Sequence, residues 1–77
     1  MKAYVLISVR TGDLHAVVRH LRSVDGVVEA SMTFGPYDAV ASVEANSVES
    51  IGKILYSKIQ PIPGILETLT CLAVDTE

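Results

Sequence analysis

Tryptophan is absent from this 77-residue chain, and cysteine and phenylalanine each occur once. A lone Cys71 cannot form an internal disulfide, and it lacks the spaced partners that a zinc or redox motif requires. That fits a reduced, cytoplasmic setting. Basic residues are few as well, six lysines and arginines against nine acidic residues for a net charge of −3, and none are clustered. A phosphate backbone needs a Lys/Arg stripe, so the balance argues against direct nucleic-acid binding. No stretch of 18 apolar residues occurs, and the N-terminus carries no basic-then-apolar leader. The expectation is a soluble chain with no membrane role, made at its final length. Glycines stand singly, without phosphate-loop or dinucleotide spacing. His15 and His20 are five residues apart, about 140° around a helix, and share no face with a spaced Asp, Cys or Ser. No metal, no cofactor and no catalytic residues are therefore expected, and the chain reads as a non-enzyme.

Apolar residues are plentiful, 49% of the chain, and many are small and β-branched. This is the composition of sheets, not of disorder. A single domain spanning residues 1–77 would bury only about 60% of its unfolded surface, so self-association is expected to support it.

Residues Ala3 to Val9 alternate as a strand, with Ala3, Val5, Ile7 and Val9 opposite Tyr4, Leu6 and Ser8. Asp13 is placed to cap a helix whose stripe is Leu14, Val17, Val18, Leu21 and Val24, and Asp25-Gly26 stops it. Val27–Thr33 and Asp38–Ala45 alternate again, joined through Phe34-Gly35-Pro36-Tyr37, where Pro36 suits the second position of a tight turn. Asn46 and Glu49 resemble a capping box for a second helix carrying Val48, Ile51, Leu55 and Ile59, which Pro61 and Pro63 end. Ile65 to Val74 forms the last strand.

A weak internal repeat relates Val24-Asp25-Gly26-Val27-Val28-Glu29 to Ile62-Pro63-Gly64-Ile65-Leu66-Glu67. Two strand–helix–strand halves predict α+β, ferredoxin-like βαββαβ: a four-stranded antiparallel sheet in order 4-1-3-2 with both helices on one face. The helix-side face is expected to carry Ala3, Val5, Ile7, Ala39, Ala41, Val43, Ile65, Leu69 and Cys71. The other face would hold Tyr4, Leu6, Val40, Leu66 and Leu72 among polar residues, with Asp38, Thr68 and Thr70 sharing it. That mixture is too apolar for water and predicts dimerisation through the sheet.

The turn has a chemistry of its own. Exposed backbone at Gly35, the Asp38 carboxylate and the Thr68 and Thr70 hydroxyls supply the donors and acceptors that a small zwitterion needs. Each residue alone has an ordinary reading in turns and strands.

Taken together, the glycine-led second strand, the turn Gly35-Pro36-Tyr37-Asp38, and the run Lys58-Ile59, Ile62-Pro63-Gly64-Ile65, Thr68, Thr70 resemble the effector-binding (RAM) domain of the Lrp/AsnC transcription regulators. The resemblance covers essentially the whole chain and corresponds to the stand-alone form, without the helix-turn-helix domain. It implies an amino-acid effector and dimers that assemble into rings, often octamers. It also implies ligand contacts at Gly35, Tyr37 and Asp38, with Thr68 and Thr70 beside them, and full-length regulators as partners. Pro36 departs from a family position that is commonly polar or charged, and proline removes a backbone donor there. The choice of amino acid, and binding itself, stay open at this turn. Two rival expectations are a small dimeric α+β-barrel enzyme using Tyr4, Glu29 or Glu44 in the sheet cavity, and a purely structural oligomerisation module.

Overall fold

The computed structural model describes residues 1–74. Strand β1 (Lys2–Val9) is followed by helix α1 (Leu14–Arg22), strands β2 (Val27–Met32) and β3 (Ala39–Glu44), helix α2 (Val48–Ile54) and strand β4 (Ile65–Leu72). A π-helical segment, Leu55–Ile59, continues α2 without a break. The strands form one antiparallel sheet in the order β2-β3-β1-β4, which is 4-1-3-2 read from the opposite edge. The expected ferredoxin-like βαββαβ fold is the fold observed.

The core follows from alternation in the two central strands. Ala3, Val5 and Ile7 pair with Val43, Ala41 and Ala39, and all six side chains are fully buried. Alanine opposite Val5 and Ile7 lowers the sheet surface enough for Val17, Val18 and Leu21 of α1 and Ile59 of the π-helical segment to settle on it. Truncating one of these large aliphatic residues removes about 2–5 kcal/mol in well-packed cores. A fold this small has few such contacts to lose.

Both helix starts differ in detail from the sequence reading. Ser47, not Asn46, caps α2: its backbone is extended and its Oγ accepts the Ser50 N–H at 3.1 Å. Its hydroxyl reaches the third residue on, while Glu49 remains in the first turn, where its charge favours the dipole. Asp13 does occupy the α1 cap position, but its carboxylate takes the Arg10 Nε–H at 2.9 Å and caps no helix amide.

The internal repeat has a structural counterpart at each step. Gly26 and Gly64 both adopt positive φ, +97° and +100°. Their carbonyls receive equivalent bonds, from Glu44 N at 2.8 Å and Arg10 N at 2.7 Å. Each also lies against a helix, since a Cβ on Gly26 would sit 2.6 Å from Ile54 Cδ1 and one on Gly64 2.9 Å from Asp13 Cβ. A register shift follows each glycine, between Val27 and Glu29 in β2 and opposite Ser8/Val9 in β4. Val28 and Leu66 are the extra residues, 61% and 66% exposed, while Val27 and Ile65 pack on the core.

The second bulge overturns the face assignment of β4. Ile65 opposes Val9, but Thr68 opposes Ile7, Thr70 opposes Val5 and Leu72 opposes Ala3. Antiparallel partners share a face, so Thr68, Thr70 and Leu72 belong to the helix side. Leu69 and Cys71, opposite Leu6 and Tyr4, belong to the outer side, the reverse of the expectation. The strand also ends at Leu72 instead of Val74, although Ala73 N still donates to Lys2 O at 2.8 Å.

Candidate ligand-binding site

Pairing between β2 and β3 stops at Met32 and Ala39, leaving residues 33–38 as a loop wider than the tight turn expected at Gly35-Pro36. Its base is closed twice: Thr33 N donates to Asp38 O at 3.0 Å, and Thr33 Oγ1 donates to Tyr37 O at 2.7 Å. Phe34, Gly35 and Pro36 form an apex exposed to solvent, and Tyr37 is half-buried beneath it.

Asp38 anchors this loop to the central strand. Its N–H donates to Ile7 O at 2.9 Å, and Val9 N donates to its Oδ2 at 2.8 Å. The β1–β3 ladder ends at Ile7 and the β1–β4 register shifts at Val9, so the carboxylate satisfies an amide at the point where regular pairing lapses. Among the described residues Oδ1 takes no hydrogen bond, and it remains available as an acceptor.

The sheet places Thr68 at the same end as the loop, since Ile7 lies between Ala39 and Thr68. Two strand spacings, about 10 Å, separate them, and Thr70 lies about 7 Å further along. Thr68 and Thr70 also stand on the helix side of the sheet, so they do not share a face with the outer-side residues of β1 and β3 as strand parity predicts. Within one protomer, Gly35, Tyr37 and Asp38 form one cluster and the two threonines another.

The outer face is a half-apolar surface. Tyr4 is 42% and Leu69 50% exposed, beside the half-buried Leu6 and Val40. A shallow depression of about 420 Å³ lies across β1, β2 and β3, lined by Tyr4, Glu29, Ser31, Thr33, Val40 and Ser42 together with Lys2. Lys2 Nζ stands 5.3 Å from the Tyr4 ring centroid, within cation–π range. Tyr4 and Glu29 thus share this depression, whereas Glu44 lines a separate one with Met1 and Leu72.

A further polar depression, of about 500 Å³, opens where the end of α1 meets the π-helical segment. It was not legible in the sequence, because its residues come from two helices remote in the chain. The available signal was the pair of oppositely charged residues, Asp25 and Lys58, just beyond or within helix ends. Among the described residues no helix is long and apolar enough to cross a membrane.

An α+β sheet with one face under two helices and the other uncovered defines a ferredoxin-like domain. Residues 2–77 match the model of the Lrp/AsnC ligand binding domain. The chain belongs to this family. It is 30% identical over 60 residues to an uncharacterised helix-turn-helix-type transcriptional regulator of Pyrococcus abyssi, covering 78% of this chain and 40% of the relative. The chain therefore spans about two-fifths of the length of that regulator. Among solved structures, a Thermus thermophilus protein superposes with a TM-score of 0.92 at 30% identity, over 99% of this chain and 95% of that one. Escherichia coli AsnC gives 0.90 at 28% identity, over 97% of this chain and 51% of AsnC.

Proposed function

We propose that this chain is a non-enzymatic, cytoplasmic effector module that binds an amino acid at the β2–β3 loop and acts through assembly. The observation that carries the reading is membership of a ligand-binding domain family over residues 2–77. Gly35, Tyr37 and Asp38 supply the first protomer's share of the site: exposed backbone at the apex, a half-buried ring below it, and the second carboxylate oxygen of Asp38 as acceptor for an ammonium group. Thr68 and Thr70 complete the site from a neighbouring protomer, which is consistent with their separation from the loop within one chain. Protomers dimerise through the outer face, burying Tyr4 and Leu69, and dimers close into a ring. A ligand held between dimers shifts that assembly only by its difference in affinity for the two states. Mixed assembly with full-length regulators then carries the signal to DNA, which the module does not itself bind.

A second reading, an assembly module without an effector, is favoured by two observations. The Asp38 carboxylate already serves Val9 N–H, and Pro36 takes a donor away from the apex.

Thermal melts against the twenty amino acids, with oligomer mass followed in the same samples, decide between them. Ligand at about 100 times its dissociation constant adds about 2.7 kcal/mol, a shift of many degrees for a domain of this size. The effector reading expects such a shift with a few amino acids, abolished in Asp38→Asn, which keeps an acceptor for Val9 N–H but removes the charge. A flat panel with a constant oligomer mass refutes it and leaves the assembly module.

A further inference from the structure

The two free edges of the sheet differ. Thr33 N donates to Asp38 O, so alternate residues of β2 turn their backbone groups to β3, while Ala30 and Met32 turn theirs outward. Arg22 reaches that edge from α1, its Nε donating to the Ala30 carbonyl at 3.0 Å. A charged side chain there obstructs a further strand. At the opposite edge Ala73 N donates to Lys2 O, so the outward backbone groups of β4 belong to Thr68, Thr70 and Leu72. Among the described residues no side chain bonds to them.

Beyond the kink at Leu66 this edge is regular and bare. Thr70 and Leu72 stand on the helix side of the sheet, yet both are exposed, because α1 lies over β2 and β3. The run Thr68-Leu69-Thr70-Cys71-Leu72 contains neither a charge nor a proline, two of the devices that close an edge. One edge is thus guarded and the other left open over five residues, Thr68 to Leu72.

We propose that this edge pairs with the same edge of a second copy, antiparallel and about a two-fold axis at Thr70. Thr70 then faces the partner's Thr70 and Thr68 faces the partner's Leu72, each pair exchanging both of its N–H···O=C bonds. Moving the axis to Leu69 or Thr68 brings the kinked Leu66 into the ladder, and moving it to Cys71 runs past Leu72, where β4 ends. The axis at Thr70 is the register that uses every outward group. On the outer side Leu69 meets the partner's Cys71, and Glu67, the one charge in β4, meets the partner's Ala73 instead of its own copy. Threonine facing threonine and aliphatic groups facing small neutral ones are compatible cross-strand neighbours. Because the contact is isologous, one partner uses up each edge and no fibre results. A ladder this short falls well below the roughly 1,200 Å² of a stable interface, so it forms at high chain concentration or between copies that the outer face already holds together. It needs neither the loop site nor a ligand.

The test places a thiol on the axis. Thr70→Cys in a Cys71→Ser chain should give a disulfide-linked dimer under mild oxidation, since directly paired strand residues stand about 5.5 Å apart between Cα atoms, within disulfide reach. Thr68→Cys in the same background lies about 14 Å from its own copy in this register and should give less than about a tenth as much. Hydrogen exchange of the unsubstituted chain supplies an independent reading. The amides of Thr68, Thr70 and Leu72 should exchange about tenfold more slowly at millimolar than at micromolar chain concentration, an effect that Thr70→Pro removes. Thr70 N–H points away from β1, so the proline takes no bond from the β1–β4 ladder. Packing through the outer face alone leaves these edge amides open to water. Equal cross-linking from positions 68 and 70 overturns the inference, as does exchange at the three amides that ignores concentration.

Discussion

Gly64→Ala tests the packing argument at its tightest point. The new methyl would lie 2.9 Å from Asp13 Cβ, 3.0 Å from Asp13 Oδ2 and 3.1 Å from Val17 Cγ2, against a helix start held by its own hydrogen bonds. Forcing an L-residue to φ near +100° costs about 1–2 kcal/mol, and overpacking of this kind adds about 1–3 kcal/mol. The combined loss is about 2–5 kcal/mol, a large part of the roughly 4–12 kcal/mol expected for a chain this long. Gly12→Ala supplies the control, because Gly12 has φ +93° but nothing within 4 Å of an added Cβ. It should lose only the backbone part, about 1–2 kcal/mol. Urea unfolding measures both at one fixed chain concentration, because any self-association makes apparent stability concentration-dependent. A loss for Gly64→Ala no larger than for Gly12→Ala would refute the claim that α1 sits directly on the glycine at the head of β4.

Ser47→Ala should lower stability by about 1 kcal/mol, whereas Asn46→Ala should be near neutral; the same urea titrations separate them. Leu69→Glu on the outer face should abolish the proposed sheet-to-sheet dimer in analytical ultracentrifugation, leaving a folded monomer with unchanged circular dichroism, and an intact dimer would count against the outer face as the interface. Asp38→Ala should destabilise by about 1–3 kcal/mol through the orphaned Val9 N–H, and Asp38→Asn by clearly less, as thermal melts without ligand would show.

The central strands were legible because both obey strict alternation and both lie beneath helices. Ala3, Val5 and Ile7, and Ala39, Ala41 and Val43, fall on the buried face that their parity assigns. In β4 the same rule failed for a physical reason. One additional residue at Leu66 reverses every later side chain, and an edge strand with apolar and polar groups on both faces gives no burial pattern to expose the reversal. The loop residues Gly35, Tyr37 and Asp38 were singled out as a cluster, but nothing in their order told that Asp38 would hold Val9 N–H. That contact joins positions 29 residues apart and exists only because two ladders lapse together at the end of β1. The cap moved from Asn46 to Ser47 because two adjacent residues were both competent, and only the backbone angles choose between them.

The paired bulges after Gly26 and Gly64 have a consequence for how the sheet can fail. Because β2 and β4 run in opposite directions, the two kinks fall at diagonally opposite corners, one on each free edge. A straight, unkinked edge is a template on which further chains can add strand by strand without limit. A bulge bends the edge and breaks its spacing of donors and acceptors, and sliding past it would drive Val28 or Leu66 onto the wrong face. The short motif of glycine, two aliphatic residues and glutamate, written twice, therefore works against strand-by-strand growth at either free edge of the sheet.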